Sequence, residues 1–208
     1  MGLPLVLLGA GGHAKVLLDI IRQTNNTILG VVAPEAVNIG VPYIGNDDQL
    51  VSQFPPDSVL LVNGIGSVGK ISTRKAVFDS FKQQGYRFET LIHYSATVSA
   101  STKLSEGVQI MAGVIIQPGV TLGSNTIINT RSVVDHDCKL GEHVHISPGA
   151  ILCGNVLIEP EVHIGAGATI IQSIRIRRGS IVGAGAVVIS DVSSRSLVVG
   201  VPAKEINR

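Results

Sequence analysis

Residues 140–169 read, six at a time, LGEHVH ISPGAI LCGNVL IEPEVH IGAGAT, and each group opens with Leu or Ile. An aliphatic residue keeps this register from Val98 to Val188 without an insertion or deletion. The residue four places further on is small or aliphatic throughout, and glycines recur between the two. Neither the period of a strand nor that of an α-helix gives a strict six. The sequence therefore predicts a solenoid with six-residue sides and glycines at its corners.

Three such sides make a coil of 18 residues, so residues 18 apart are expected to stack on neighbouring coils. This rule places His145 under His163. The whole repeat builds about five coils, about 25 Å tall at the spacing of stacked strands. Cys138 takes an inward small position, which predicts a core residue. A β-sandwich with turns every 8 to 12 residues would not keep this register.

Composition narrows the class of protein. Hydrophobic residues make up 45% of the 208 residues and aromatic ones 3%, so aliphatic side chains must fill the core and a disordered chain is excluded. The 16 basic and 15 acidic residues leave a net charge of +1, without the basic surface that nucleic acids or anionic membranes attract. Two cysteines are too few for a disulfide framework. We expect a cytoplasmic protein with no nucleic-acid or membrane partner.

The first ninety residues follow a different pattern, in which apolar runs alternate with amphipathic ones. The sequence predicts strands in LPLVLL (3–8), TILGVVAP (27–34), SVLLVNGIG (58–66) and Phe88–Ile92, a helix after the first strand, and a helix over Lys70–Gln84. This order predicts a small parallel, Rossmann-like α/β sheet. We set the domains at 1–92 for this nucleotide-sugar-binding unit and 93–208 for the β-helix.

A glycine turn follows the first predicted strand. The segment GAGGHA at 9–14 nearly reproduces the dinucleotide spacing G-x-G-x-x-G/A, and N–H groups at such a helix start suit a phosphate. The acid that would hold the ribose of NAD is missing, because Ala33 and Pro34 end the second strand. With the loop at 64–66, the turn predicts a nucleotide-sized crevice. Loops that merely turn tightly are the alternative.

One histidine stands between two acids, as Asp135-His136-Asp137. A carboxylate beside an imidazole fixes the tautomer and raises the basicity of the ring, which is typical of a general base near neutral pH. Alternation from Val134 would point the ring inward unless the turn re-aims it, and we place that turn between His136 and Cys138. A solvated surface histidine is the alternative.

Other chemistries find less support. A metal site drawn from His136, His143, His145 and His163 lacks a closed Cys/His set, so no metal is expected. His143 and His145 are two apart and are expected to share one face of a strand. A serine triad is not excluded, but no G-x-S-x-G segment is present.

Several segments together resemble a known family along essentially the whole chain. They are GAGGHAK (9–15), NGIG (63–66), LIHYSA (91–96), INTRSVVDHDCKLGEHVHISPGA (128–150) and VVGVPAK (198–204). The chain resembles the two-domain sugar acyltransferases, which include sialic acid O-acetyltransferases and N-acetyltransferases of nucleotide-linked 4-amino sugars in the bacillosamine and perosamine pathways. The resemblance implies a left-handed parallel β-helix, acetyl-CoA as co-substrate, and a homotrimer with the coenzyme groove between neighbouring prisms.

The resemblance also implies roles for individual residues. His136 is the base, Asp137 supports it, and His145 contacts acetyl-CoA. The expected nucleotide-sugar-binding residues are Gly11, Gly12, His13, Gly64, Ile65 and Gly66. Ala166 and Ala184 complete the expected coenzyme site. The chain departs from the family at Ala33-Pro34, where members acting on UDP-linked bacillosamine precursors carry an acidic pair, and at Asp137, which replaces a longer Glu.

We therefore expect acetyl-CoA-dependent N-acetylation of the 4-amino group of a nucleotide-linked amino sugar, for surface glycan synthesis. The neutral imidazole of His136 would take the proton of the attacking amine. Backbone N–H groups around Ser147 to Gly149 are the expected oxyanion donors. A sialic-acid-type sugar O-acetyltransferase and a non-catalytic nucleotide-binding scaffold are the alternatives, because nothing in the sequence separates an amine acceptor from a hydroxyl acceptor.

Overall fold

The computed structural model describes residues 2–67 and 72–206. The chain divides into two compact units, Met1–Leu91 and Ile92–Arg208. The first is a small α/β sheet, and the second is a parallel β-solenoid. Over the described ranges, no helix has the length and apolar character needed to cross a bilayer.

The first unit is built around a parallel sheet. Its elements in chain order are β1 Leu5–Leu8, α1 Gly12–Arg22, β2 Ile28–Val32, β3 Tyr43–Gly45, α2 Asp47–Gln53, β4 Leu60–Asn63 and α3 Ser72–Gln83. The strands pair in parallel in the order β3-β2-β1-β4, and every residue of the inner strand β1 is buried. Because neighbouring parallel strands end at the same edge, the loops after β1 and β4 leave the sheet side by side.

Two elements of this unit were missing from the sequence prediction. The short strand β3 and helix α2 lie between residues 35 and 57, where the apolar residues follow no clear period. The start of α2 carries a capping box, in which Asn46 Oδ1 accepts from the Gln49 N–H and Gln49 Oε1 accepts from the Asn46 N–H. This N-x-x-Q spacing was the available signal. Lys70, the predicted start of the third helix, lies outside the described residues.

The single strand predicted at Phe88–Ile92 is wrong. Phe88 forms only an isolated parallel bridge with Leu61 of β4. Leu91–Ile92 is instead the first strand of the solenoid, in which Leu91 is buried. The apolar run is therefore shared between the two units.

The solenoid consists of very short strands separated by tight corners. In chain order they are β5 Leu91–Ile92, β6 Thr97–Val98, β7 Lys103–Leu104, β8 Gln109–Ile110, β9 Ile115–Ile116, β10 Thr121–Leu122, β11 Ile127–Ile128, β12 Val133–Val134, β13 Lys139–Leu140, β14 His145–Ile146, β15 Ile151–Leu152, β16 Leu157–Ile158, β17 His163–Ile164, β18 Thr169–Ile170, β19 Arg175–Ile176, β20 Ile181–Val182, β21 Val187–Val188, β22 Leu197–Val199 and β23 Lys204–Ile206.

Across the described part of this unit the strands form three ladders. The first ladder comprises β5, β8, β11, β14, β17, β20 and β22 and ends with the antiparallel β23; the second comprises β6, β9, β12, β15, β18 and β21; the third comprises β7, β10, β13, β16 and β19. Partners in these ladders are 18 residues apart, as in the pairing of His145 with His163. The stacking rule is thus confirmed.

Each aliphatic residue of the six-residue repeat is the second residue of a strand, and all of them from Ile110 to Val188 are buried. Cys138 is fully buried, as expected of a core position. The solenoid has about six turns rather than five, because it already begins at Leu91. Its corners place one residue per unit at positive φ, among them Asp137 (φ 61°) and Gly149 (φ 68°). Glycine, Asn and Asp tolerate this region best.

Candidate active site

The His136 side chain lies at a corner between β12 of the second ladder and β13 of the third. His136 Nδ1 is 2.9 Å from Asp137 Oδ2, and 59% of the His136 side chain is exposed. Because an ionised carboxylate only accepts hydrogen bonds, Nδ1 carries the hydrogen. The neutral ring then keeps its lone pair on Nε2, which is the atom that can accept a proton.

The corner itself turns the ring outward. Asp137 adopts positive φ, and its N–H donates to the carbonyl of Pro118 on the preceding coil at 3.0 Å. The His136 N–H donates to Asp135 Oδ1 at 2.7 Å. The turn at His136 and Asp137 therefore interrupts the alternation that begins at Val134, and the imidazole points to solvent rather than into the core.

Two glycines on the neighbouring coils make room for this pair. A Cβ at Gly154 would lie 2.5 Å from His136 Nε2, and a Cβ at Gly119 would lie 2.5 Å from Asp137 Oδ1. Such distances are far below van der Waals contact. The imidazole thus packs on the bare Cα of Gly154, and the carboxylate on that of Gly119.

The local charges make His136 more basic than a free histidine. Its pKa is raised chiefly by the hydrogen bond to Asp137, with smaller contributions from the charges of Asp135 and Asp137 that outweigh the effect of desolvation. The ring is therefore a stronger proton acceptor near neutral pH.

A second histidine group lies on the first ladder. His145 and His163 stack on successive coils, with ring centroids 4.9 Å apart and ring planes at 87°. His145 Nε2 is 3.2 Å from Asn129 Nδ2, and His163 Nε2 is 3.2 Å from Ser147 Oγ. His145 is buried and His163 half-buried, and burial lowers the pKa of His163. His163 is therefore part of a packed group rather than an isolated surface residue.

Sequence reasoning missed Asn129 in this group. Asn129 Oδ1 accepts from the Thr130 N–H at 2.8 Å, which directs the Nδ2 group toward His145. Since Nδ2 donates, His145 Nε2 accepts and its hydrogen sits on Nδ1. The two residues are 16 apart rather than 18, so the stacking rule did not point to the pair.

Ala166 and Ala184, the other expected coenzyme residues, stack at the corner that follows the first ladder. Both are exposed, and the Ala166 carbonyl accepts from the N–H of Gly185 at 2.8 Å. Cβ atoms built on Gly167 and Gly185 would meet nothing within 4 Å, so this corner is open.

The oxyanion donors expected around Ser147 to Gly149 are wrong. The Ser147 N–H donates to the Ile164 carbonyl at 2.9 Å, and the Gly149 N–H donates to the Thr130 carbonyl at 2.9 Å. Pro148 has no N–H. These groups hold neighbouring coils together and do not point at a substrate.

The two histidine sites lie on different sides of the solenoid. In a three-sided coil, the corner between two sides is opposite the third side. His136 lies at the corner between the second and third ladders, whereas His145 lies on the first. One chain therefore does not bring the two residues together.

The predicted nucleotide-sugar residues line a crevice in the first unit. The loops after β1 and β4 enclose a cavity of about 530 Å³ lined by Gly9, Ala10, Gly11, Gly12, His13, Gly64, Ile65 and Gly66. Helix α1 begins there, with Gly11 as its N-cap and without a side-chain cap. Its first N–H groups and the helix dipole favour an anion in this crevice.

Close packing explains the glycines of the second loop. A Cβ on Gly64 would lie 2.7 Å from the Leu8 carbonyl oxygen and 2.9 Å from Ala14 Cβ, and one on Gly66 would lie 3.3 Å from His13 Cβ. By contrast, Cβ atoms on Gly11 and Gly12 would meet nothing within 4 Å. The first loop is therefore bare because it borders open space.

A second cavity shares part of the first loop. It has a volume of about 300 Å³ and is lined by Ala10, Gly11, Ala33, Pro34, Glu35 and Val37. The Ala33-Pro34 pair thus borders the glycine turn directly, at the end of β2. Without an acidic pair, this wall is largely apolar, with Glu35 as its carboxylate.

Other side chains do not assemble a metal site. In the part of the chain that the structure describes, no three His, Cys, Asp or Glu side chains are grouped so as to hold an ion. His143 does not share a face with His145 as expected, because it occupies a corner at φ 57°, where its Nδ1 lies 2.9 Å from Asn125 Nδ2. Burial raises the pKa of the Cys138 thiol to about 11, so this thiol is not a nucleophile near neutral pH.

Comparison with known proteins assigns the family. Residues 4–81 match the PglD N-terminal domain, and residues 101–136 and 137–172 match the bacterial transferase hexapeptide (six repeats) family. The GDP-perosamine N-acetyltransferase of Escherichia coli O157:H7 is 36% identical over 163 residues, which cover 74% of this chain and 71% of that protein. The chain belongs to the nucleotide-sugar N-acetyltransferase family. The predicted left-handed β-helix of hexapeptide repeats is thereby confirmed.

Solved members of the nucleotide-sugar N-acetyltransferase family share the whole fold. PerB from Caulobacter crescentus, in complex with CoA and GDP-perosamine, has a TM-score of 0.89 and 36% identity over 98% of this chain and 97% of its own. The acetyltransferase domain of PglB from Neisseria gonorrhoeae FA1090 has a TM-score of 0.88 and 35% identity over 99% and 100%. That domain has also been solved with acetyl coenzyme A.

Proposed function

We propose that this chain transfers the acetyl group of acetyl-CoA to the 4-amino group of a nucleotide-linked amino sugar, with His136 as the general base. The observation that carries the proposal is the His136–Asp137 pair, in which the carboxylate takes the Nδ1 hydrogen and Nε2 faces solvent. Membership of the nucleotide-sugar N-acetyltransferase family supplies the reaction class.

The reaction needs one proton acceptor and no covalent enzyme intermediate. The amine nitrogen attacks the thioester carbonyl, and His136 Nε2 removes a proton from that nitrogen as the C–N bond forms. The C–S bond then breaks, and the proton held by His136 passes to the leaving thiolate. General-base catalysis contributes about 10²–10⁴-fold, so binding and orientation of the two substrates supply the remainder.

The crevice of the first unit is the proposed nucleotide-sugar site. The start of α1 offers N–H groups to the diphosphate, and the apolar wall at Ala33 and Pro34 borders the same loop. Both PerB and the Escherichia coli relative are named for GDP-perosamine. A GDP-linked 4-amino sugar is accordingly the first acceptor to test, and a UDP-linked sugar the second.

We further propose a homotrimer that completes the active site. His136 and the expected coenzyme residues His145, Ala166 and Ala184 lie on different sides of one solenoid. A neighbouring copy can present its first ladder to the His136 corner, which places coenzyme and base in one groove. Light scattering should give three times the mass of one chain. A monomer with full activity would contradict the shared groove. A cytoplasmic location also stays a prediction.

The acceptor is tested by thiol release from acetyl-CoA with a panel of substrates. The panel contains GDP- and UDP-linked 4-amino sugars, their 4-hydroxyl counterparts and free sialic acid. Release with a 4-amino sugar alone supports the proposal and identifies the nucleotide. Release with sialic acid alone would replace it by sugar O-acetylation, and release with none would leave the family's reaction unsupported for this chain.

Asp137→Asn should shift the pH profile of the reaction. The base works in its neutral form, so activity rises with pH through the pKa of His136. Loss of the carboxylate removes the main cause of the raised pKa, and the acidic limb of kcat should therefore move to lower pH. The plateau should fall roughly tenfold, because the ring loses basicity and orientation. The pH dependence of kcat measures both effects.

Asp135→Asn is the matched control for this shift. Asp135 acts on the pKa of His136 only through its charge and contributes less than the hydrogen bond to Asp137. Its replacement should move the limb less. An Asp137→Asn profile that coincides with the wild-type profile would show that the pair does not set the active protonation state.

Gly11→Val should weaken nucleotide-sugar binding without unfolding the protein. Gly11 has extended backbone angles (φ −74°, ψ −172°) that any residue adopts, and its Cβ would project into open space. The valine side chain would occupy part of the crevice. We expect the KM for the nucleotide sugar to rise roughly tenfold or more, as for a displaced group of hydrogen bonds, and the KM for acetyl-CoA to stay unchanged.

Gly2→Val is a control, because a Cβ at Gly2 also meets nothing within 4 Å and Gly2 does not line the crevice. Steady-state kinetics with each substrate varied in turn separates the two KM values. Equal nucleotide-sugar KM values in Gly11→Val and wild type would place the sugar elsewhere.

A further inference from the structure

A fully buried guanidinium lies beside the second loop of the crevice. Arg74 belongs to α3 and is 1% exposed. Its Nη1 group donates to the carbonyl oxygens of Asn63 and Ile65, each at 2.8 Å. Asn63 ends β4, and Ile65 lines the crevice. One guanidinium nitrogen thus bridges the strand end and the loop.

Asn63 completes the connection from the other side. Its Nδ2 group donates to the Arg74 carbonyl at 3.0 Å, and its Oδ1 accepts from the Ile65 N–H at 3.2 Å. The Asn63 side chain is also buried. The helix, the strand end and the loop are therefore joined through two side chains and their backbone groups.

This arrangement is a costly way to fill space. Burial lowers the pKa of Arg74 to about 9, which reflects the unfavourable desolvation of its charge. An apolar side chain on α3 would pack there without that penalty. The loop that Arg74 holds carries Gly64 and Gly66, and glycines give a backbone the most conformational freedom to lose. The guanidinium therefore has a specific object, which is the conformation of this loop.

We propose that Arg74 is a positioning residue for the nucleotide-sugar site, holding the Gly64–Gly66 loop through the carbonyls of Asn63 and Ile65 in the conformation that accepts the nucleotide sugar. The proposal rests on the proposed function of the crevice. Arg74 does not line the crevice itself, so it acts through Ile65 and Gly66.

Two variants separate charge from geometry. Arg74→Lys keeps a cation but loses the planar group that reaches both carbonyls, and Arg74→Met keeps length without donors. We expect the KM for the nucleotide sugar to rise roughly tenfold in Arg74→Met, with a smaller rise in Arg74→Lys. The KM for acetyl-CoA and the kcat at saturation should stay within about twofold, because the His136 corner is untouched.

Tyr86→Phe is the matched control. It removes another buried hydrogen bond of the first unit, from Tyr86 Oη to the Phe54 carbonyl at 2.6 Å, away from the crevice. If Arg74 served stability alone, Tyr86→Phe and Arg74→Lys would both lower Tm and leave the nucleotide-sugar KM unchanged. A wild-type KM in folded Arg74→Lys and Arg74→Met would overturn the proposal. Should Arg74→Met fail to fold, Arg74→Lys alone decides it.

Hydrogen exchange of the free protein gives a readout that needs no substrate. The amide of Ile65 should exchange faster in Arg74→Lys than in wild type, while amides of β1 keep their protection and Tyr86→Phe leaves Ile65 unchanged. Faster exchange together with a wild-type enzyme that accepts no nucleotide sugar would refute the proposed function and not the loop contact. Unchanged exchange at Ile65 would refute the positioning role itself.

Discussion

His136→Ala should reduce the kcat of acetyl transfer by about 10²–10⁴-fold, the contribution of a positioned general base. The reason is that His136 Nε2 is the proton acceptor of the pair, and Asp137 alone cannot replace it at the same place. The variant is measured by thiol release at saturating acetyl-CoA and nucleotide sugar. KM values for both substrates should change little, because the proposed binding contacts lie elsewhere.

The variant should fold normally. The His136 side chain is 59% exposed and packs on no apolar neighbour that would be left with a cavity, so its removal should alter the free energy of unfolding by only about 0.5 kcal/mol. Circular dichroism and Tm check this point. Near-wild-type turnover in a folded His136→Ala protein would contradict the assignment of the base.

Gly154→Ala should be nearly as damaging, although it adds a single methyl group. Its Cβ would lie 2.5 Å from Nε2 and 2.6 Å from Cε1 of His136, so the imidazole must move away from its present position. A misplacement of about 1 Å at a reacting group costs on the order of 10²-fold in rate. We expect a loss of that size in kcat, with the fold retained, because Gly154 is not among the residues at positive φ.

A double-mutant cycle tests whether the effect passes through the histidine. In the His136→Ala background the alanine methyl at residue 154 meets no imidazole, so Gly154→Ala should cause little further loss. Additive losses would mean that Gly154 acts independently of His136. Wild-type activity in the single variant would show that the ring accommodates the methyl group by a harmless shift.

The sequence predicted the solenoid well because its repeat is a direct expression of the coil. Each sixth aliphatic residue is a strand residue, and partners 18 apart pair in the ladders. The same rule, applied to His136 and Asp137, leads to residues 154 and 119, both of which are glycine. The packing of the pair on two glycines was therefore available from the sequence.

The stacking rule does not describe corners. His143 was expected beside His145 on a strand, but it takes positive φ and turns away. The N–H groups near Ser147 were expected to bind an oxyanion, but the solenoid uses them for bonds between coils. A repeat of six gives the register, while the direction of each corner side chain depends on local backbone angles.

The first unit was predictable where its elements have a period. Strands β1, β2 and β4 and helix α1 follow from apolar runs and the glycine turn, and the six predicted crevice residues line one cavity. Their role in binding stays a prediction. Arg74 gave no signal, since an arginine on a helix is most often exposed. Only its burial beneath two carbonyls distinguishes it.

The central claim is that the acetyl group passes to a sugar nitrogen. The most direct measurement is mass spectrometry of the product formed from acetyl-CoA and a GDP-linked 4-amino sugar, before and after mild alkaline treatment. The account predicts that the nucleotide sugar gains one acetyl group and keeps it in alkali, as an amide does. An acetyl group lost in alkali, as from an ester, or no acetylated sugar from either the GDP- or the UDP-linked substrate, would contradict it.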